Sequence, residues 1–246
     1  MTINVTVWNE NYHDRFNDKV KKLYPNGLHG AIAEFLSSED IKVRIATLDM
    51  EEQGLTDELL DTTDVLIWWG HMKHSLVSDE LVTKIRDRVY SGKMGFIPLH
   101  SAHHSKPFMA IIGTTGDLTW GRNQHAVVWN LAPTHPITQG IPAHFDIQEE
   151  LYSEPFFVPK PDDLLFGTWY EDGNIFRGGM TFTRGLGKIF YFHPGHETCD
   201  SFYNEYVRRI IKNAVYWCAP VSVTEGFNLN GCVHQTEPIF IATKEN

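Results

Sequence analysis

Hydrophobic and polar positions along the first half of the chain follow two alternating periods. Residues 3–8 are an apolar run closed by Asn9 and Glu10, residues 30–36 repeat their apolar positions at helical spacing, and residues 41–48 return to a strand pattern. Together they predict one strand-helix-strand unit. The pattern recurs at residues 64–70, a buried strand, and at residues 78–90, a helix with Asp79 and Glu80 in its first turn and Gly92 behind its end. Residues 94–99 predict a further strand, running straight into His100, Ser101 and Ala102 and a helix through Ile112. Strands alternating with helices predict a parallel sheet covered on both faces. Pro98 has no amide hydrogen for a ladder, which argues against a central position for the end of its strand.

Residues 113–123, rich in Gly and Thr, read as a long loop, and residues 134–142 as a turn-rich connector. Beyond Glu150 the period changes. Residues 164–170, 175–184 and 188–193 are strands separated by Glu171-Asp-Gly-Asn and Gly185-Leu-Gly, turns that predict antiparallel hairpins. Asp200 is placed to cap a helix in which Phe202, Tyr206, Ile210, Ala214 and Cys218 recur every four residues and which Pro220 ends. Residues 1–220 therefore predict a single α/β domain: a mostly parallel sheet with helices on both faces and an antiparallel C-terminal portion. Residues 221–246 have no long period and read as an arm reaching a neighbouring subunit, which together with exposed aromatic surface predicts a homo-oligomer.

Charge and composition narrow the function classes. Lys and Arg number 21 against 31 Asp and Glu, and a formal charge of −10 without a basic patch argues against nucleic acid. The longest apolar runs, such as residues 65–69, fall far short of the roughly 18 residues that cross a bilayer. The N-terminus lacks a basic start, an apolar core and a cleavage site, so a cytoplasmic location is expected. Cys199, Cys218 and Cys232 are too few to staple the domain and agree with a reducing compartment. Gly113-Thr-Thr-Gly116 lacks the lysine of a phosphate-binding loop, so no nucleotide cofactor is expected.

The 13 histidines are the compositional feature that points to chemistry. In an open parallel sheet ligands bind beyond the carboxyl ends of the strands. That rule gathers Glu10, His29, His71, His100, Ser101, His193, His196 and Glu197, with Glu149, Glu150 and Tyr152 arriving from a separate segment. Glu150 and His196 are candidate proton carriers, since a nearby helix N-terminus would keep His196 neutral. Ser101, at a strand-to-helix turn, is either a nucleophile with Glu150 and His196 or a helix N-cap. His103 and His104 are expected on the helix surface without a role. His29, His100 and His196 are candidate ligands for a divalent metal, zinc first, although no His-Glu-x-x-His pattern supports them. Trp8, Glu10, His71, Tyr152 and His193 are candidate substrate contacts, aromatic faces for sugar rings and polar groups for hydroxyls; Trp68 and Trp69 fill core volume in the alternative reading.

Four segments taken in order, Leu99-His-Ser-Ala102, His135-Pro-Ile-Thr-Gln-Gly-Ile-Pro142, Glu149-Glu-Leu-Tyr152 and Gly187-Lys-Ile-Phe-Tyr-Phe-His-Pro-Gly-His196, resemble the ThuA-like trehalose-utilisation proteins over most of residues 1–218. His29 also matches a family histidine. The resemblance implies a class I glutamine amidotransferase-like, flavodoxin-type α/β fold and a role in catabolism of trehalose or related disaccharides, including oxidised keto forms. Amidotransferases place a cysteine where Ser101 stands, and every cysteine here lies beyond residue 198, so glutamine hydrolysis is not expected. The leading expectation is a sugar-processing enzyme in which Glu150 and His196 transfer protons while His29 and His100 orient hydroxyls or hold the metal. A serine hydrolase and a non-catalytic sugar-binding or regulatory subunit are the alternatives.

Overall fold

The computed structural model describes residues 2–221; the C-terminal arm lies outside them apart from Val221. The elements are β1 (Ile3–Asn9), α1 (His13–Phe16), α2 (Asp18–Leu23), α3 (Gly27–Leu36), β2 (Ile41–Thr47), α4 (Asp57–Asp61), β3 (Val65–Trp69) and α5 (Asp79–Tyr90). They continue with β4 (Gly95–Leu99), α6 (Lys106–Ile112), β5 (Thr119–Asn130), β6 (His144–Ser153), β7 (Asp163–Tyr170), β8 (Ile175–Arg184), β9 (Gly187–Phe192) and α7 (Glu205–Cys218). The strands form one nine-stranded sheet in the order β2-β1-β3-β4-β9-β8-β7-β5-β6.

Its first five strands are parallel, β1 pairing with β2 and β3, β3 with β4, and β4 with β9. This is the flavodoxin-type 2-1-3-4-5 order, with β9 as the fifth strand and the switch point between β1 and β3. The remaining ladders are antiparallel: β9 with β8, β8 with β7, β7 with β5 and β5 with β6. The α/β class holds, but parallel and antiparallel ladders are equal in number, so the sheet is not mostly parallel. The difference comes from β5, which begins inside the segment read as a loop, and β6, which follows the connector; the sequence reading assigns neither as a strand. The first five positions of β5 are exposed or half-buried, and only Gln124, Ala126 and Val128 turn inward, so one wet face hides its alternation.

Three local expectations also change. Pro98 sits in a central strand, opposite Trp68, while the β4–β9 register passes through Phe96 and Leu99 and skips it. The chain after β4 is a 3₁₀ turn, His100–His104, and α6 is capped by Ser105, whose Oγ accepts from Phe108 N at 3.2 Å; Ser101 is not the cap. Asn204, not Asp200, caps α7 by accepting from Tyr206 N and Val207 N, because residues 201–203 first form a 3₁₀ turn.

The core packs on both faces of the parallel strands. Trp8 and Trp68 on neighbouring strands stack at 3.7 Å with an interplanar angle of 15°, both buried. Trp8 Nε1 donates to the Gln53 carbonyl at 2.8 Å, so Trp8 is a core residue and not a sugar platform. The C-terminal end of α7 approaches β4 so closely that a Cβ on Gly95 would collide with the Cys218 carbonyl oxygen. Backbone cannot yield there as a flexible side chain would. Gly95→Ala is therefore expected to lower stability by about 1–3 kcal/mol, read as a lower urea midpoint at unchanged m-value.

Candidate active site

The carboxyl ends of β1, β3, β4 and β9 meet at one edge, and each loop there is held by a buried polar anchor. Glu10, directly after β1, accepts backbone N–H bonds from His71 at 2.7 Å, Met72 at 2.8 Å and Lys73 at 2.9 Å. This arrangement shapes the turn after β3 and occupies the carboxylate, so Glu10 organises a loop rather than facing substrate. Glu149 on β6 accepts from Gly195 N at 2.6 Å, His196 N at 3.1 Å, Ser201 Oγ at 2.7 Å and Glu150 N at 2.9 Å. A buried carboxylate is tolerated when its lone pairs are filled in this way. The result is a rigid His193-Pro-Gly-His196 loop.

Glu150 and His100 form the centre of the site. His100 takes a positive φ of 51°, an unfavourable conformation for a non-glycine residue, at the turn out of β4. Its Nδ1 lies 2.9 Å from the His193 carbonyl, which can only accept, so Nδ1 carries a proton. Its Nε2 lies 3.2 Å from Glu150 Oε2. Burial pushes the His100 pKa down, but the bond to Glu150 and the charges of Glu149 and Glu150 outweigh it, and the net direction is up. Glu150 is pushed up by burial and down more strongly by the same bond and by the surrounding histidines. Both shifts favour the charged forms, an imidazolium facing a carboxylate.

His196 approaches from the β9 side, its Nε2 3.7 Å from Glu150 Oε1 and 3.6 Å from Glu197 Oε2. Its Nδ1 accepts from Thr198 N at 3.2 Å, which assigns the proton of the neutral ring to Nε2. Burial, then the charge of His100, lowers its pKa; α7 begins nine residues later and is not the cause. Ser101 Oγ bonds the Tyr152 hydroxyl at 3.0 Å, and among the described residues no histidine bonds it. Burial raises the Tyr152 pKa well above its usual value, so the phenol keeps its proton.

Glu150, Ser101 and Tyr152 line a cleft of about 280 Å³ that also includes His71, His74 and, at its rim, the exposed Trp120, while His100 and His196 flank Glu150 behind that lining. His103 and His104 line it as well. His103 is buried, its Nδ1 donating to the Gly116 carbonyl at 2.6 Å, contrary to the solvated helix position expected. His193 is fully buried, with Nε2 3.1 Å from the Glu150 carbonyl and 3.2 Å from Tyr170 Oη. It supports β6 from behind and does not line the cleft. His29 stands apart: its Nδ1 is 2.8 Å from Asn9 Nδ2, and it does not join His100 and His196.

Among the described residues two groups of side chains could hold a metal ion, with ligand atoms within 4.8 Å of one another in each. One is His100, Glu150 and His196; the other is His13, His71 and Glu197. His13 was missed by sequence reasoning because it lies in a polar stretch without period, and only its position just after a strand end could have marked it.

A doubly wound α/β sheet with histidines and carboxylates at the carboxyl edge of its parallel strands defines the class. The chain belongs to the ThuA trehalose-utilisation family, whose model matches residues 4–218. No curated protein matches it. Among solved structures it is similar to a ThuA-like protein from Parabacteroides merdae ATCC 43184, at 15% identity and a TM-score of 0.65, covering 92% of this chain and 95% of that one. It is also similar to a cytoplasmic protein from Salmonella typhimurium LT2, at 13% identity and a TM-score of 0.61, covering 88% of this chain and all, 100%, of that one. A β-galactosidase from Rahnella sp. R3 shares the fold at 11% identity and a TM-score of 0.55, over 86% of this chain and 31% of that one.

Burial in the cleft wall lowers the His74 pKa to about 4, with the charges of His104 and His71 adding to the effect. The unfolded chain then binds this proton before the folded one does, and stability falls as pH drops from about 6.5 towards 4. In a urea-unfolding series across that window, His74→Gln is expected to flatten the slope, removing about 2 kcal/mol of the pH-dependent loss.

Proposed function

We propose that this protein is a cytoplasmic enzyme that carries out acid–base chemistry on trehalose or a related glucoside, including its keto derivatives. The observation that carries the proposal is the Glu150 carboxylate, which lies between His100 Nε2 and His196 Nε2 at the edge of the sheet and forms part of the cleft wall. A carboxylate held ionised by a buried imidazolium can accept a proton from a carbon next to a carbonyl. The neighbouring His196 Nε2–H can supply one to the oxygen on which charge develops. Ser101, Tyr152 and His71 offer hydrogen bonds to sugar hydroxyls, and exposed Trp120 offers a face for a second ring.

The cleft volume of about 280 Å³ suits one sugar ring held closely, with the remainder of a disaccharide lying over the rim. The bond from Ser101 to a tyrosine, instead of an imidazole, favours proton transfer over a serine nucleophile. Family membership supports the sugar, and the label of the Salmonella relative supports the compartment. Among the described residues no helix is long and apolar enough to cross a membrane.

With trehalose, its keto derivatives and other glucosides as substrates, Glu150→Gln is expected to reduce kcat/KM by about 100-fold or more while near-ultraviolet dichroism stays native. Absence of turnover by the native protein across that panel would retire the reading. Labelling by a fluorophosphonate that disappears in Ser101→Ala would replace it with a serine hydrolase.

A further inference from the structure

The Glu150 cluster has a neighbour. His71 lies 6.3 Å from His100 and 5.7 Å from His196, ring centre to ring centre, and on its other side 5.3 Å from His13. We propose that His13, His71 and Glu197 bind one divalent first-row transition-metal ion, with an open coordination position facing the cleft. The site differs from the His29, His100 and His196 set that the sequence favours. It takes one ligand from each of the loops after β1, β3 and β9, two of them flanking the switch point of the sheet.

Geometry is the first support. His13 Nδ1 lies 3.1 Å from Glu197 Oε1 and His71 Nδ1 3.0 Å from Glu197 Oε2. Ligands bound tetrahedrally at about 2.0–2.1 Å stand roughly 3.3 Å apart, so these pairs already have the separations a metal would impose. Two imidazoles and a carboxylate are a donor set for zinc or ferrous iron. The second support is an unpartnered atom: His13 Nδ1 is sealed from solvent and, despite its nearness to Glu197, makes no hydrogen bond among the described residues. A polar nitrogen sequestered without a partner is costly, and a cation bound through it removes that cost.

The Glu150 cluster has no such unpartnered nitrogen among the described residues. His100 gives Nδ1–H to the His193 carbonyl and faces Glu150 with Nε2, while His196 accepts from Thr198 N at Nδ1 and so carries its proton on Nε2. Both nitrogens directed at Glu150 have partners that fix their protons; in the adjacent cluster His71 Nδ1 bonds Glu197 Oε2 and would give up that proton to bind an ion, while His13 Nδ1 has no hydrogen-bond partner among the described residues, and that unmet demand favours the adjacent cluster for metal. His71 contributes to the cleft wall, and an ion held there would be within reach of a substrate oxygen.

The inference is independent of the sugar chemistry, because it is tested by binding. Untagged protein is stripped with chelator, dialysed against zinc or cobalt(II), and its metal content and cobalt absorption bands are measured. About one ion per chain is expected for the native protein and for Glu150→Gln and His100→Gln. Binding weakened about 100-fold or more, with loss of the cobalt bands, is expected for His13→Gln and Glu197→Gln. His71→Gln provides a third variant should either of those fail to fold, with circular dichroism as the check. A native protein that takes up neither ion, or one that loses metal in Glu150→Gln while keeping it in His13→Gln, would overturn the assignment.

Discussion

The site depends on one buried carboxylate, Glu149. It has no access to solvent, and its oxygens are filled by two backbone amides of the His193-Pro-Gly-His196 loop, one serine hydroxyl and the amide of Glu150. Those bonds join β6, at the far edge of the sheet, to the loop that leaves β9 near its centre. Because Glu150 is the next residue in the chain, the same bonds decide where its carboxylate stands relative to His100. Without them the antiparallel extension would still be tied to the parallel half at this edge through Glu150 and Tyr152 themselves, but Glu150 would lose the anchor that sets its register against the histidines. The energetic logic is asymmetric. Each hydrogen bond contributes modestly, but a buried carboxylate missing any of its donors is strongly unfavourable, so the arrangement is held as a unit.

From that anchor the histidines sort by environment. His193 and His103 are buried against carbonyls and other histidines, and burial drives their pKa values well down. They act as neutral donors that hold backbone. His100 is equally buried yet is driven the other way, because it alone faces the ionised Glu150 at hydrogen-bond distance with a carbonyl fixing its other nitrogen. One amino-acid type therefore supplies both struts and a charged partner within a few ångströms. The positive φ of His100 belongs to the same constraint: an ordinary backbone conformation at the end of β4 would aim the ring elsewhere.

Much of the fold was legible in the sequence because its buried parallel strands are continuous apolar runs. Residues 64–70 and 94–99 need no partner to be recognised, and the hairpins after Glu150 are marked by Glu171-Asp-Gly-Asn and Gly185-Leu-Gly. β5 was not legible because it wets one face, and β6 because it alternates only as far as Gln148 and then buries both faces, with the acidic pair Glu149 and Glu150 in the buried part. An acidic pair in a strand looks like loop unless the donors that fill it are known, and those donors are amides, which leave no mark in a sequence. The same blindness explains Glu10, which matches the pattern of a strand-end functional residue but has its oxygens taken by three amides.

The candidate site was legible only where the chemistry sits at a strand end on the local chain. His71, His100, Ser101 and His196 follow strands directly, and the rule that ligands gather at carboxyl edges finds them. His13 and His74 also serve that edge, but through short turns whose course is set by tertiary bonds, so spacing does not reveal them. Trp8 fails for the opposite reason. Its position near a strand end suits a sugar platform, yet the stacking partner across the ladder is Trp68, and two large apolar rings in register gain more from each other inside the core than either would gain at the rim. Trp120, on a half-exposed strand that the sequence reads as loop, is left as the aromatic face at the cleft. Trp120 has an aromatic residue opposite it in the ladder too, Tyr152, but among the described residues no ring stacks on it and its face stays exposed, so what places an aromatic at the site is the lack of a covering layer, a property of the tertiary packing.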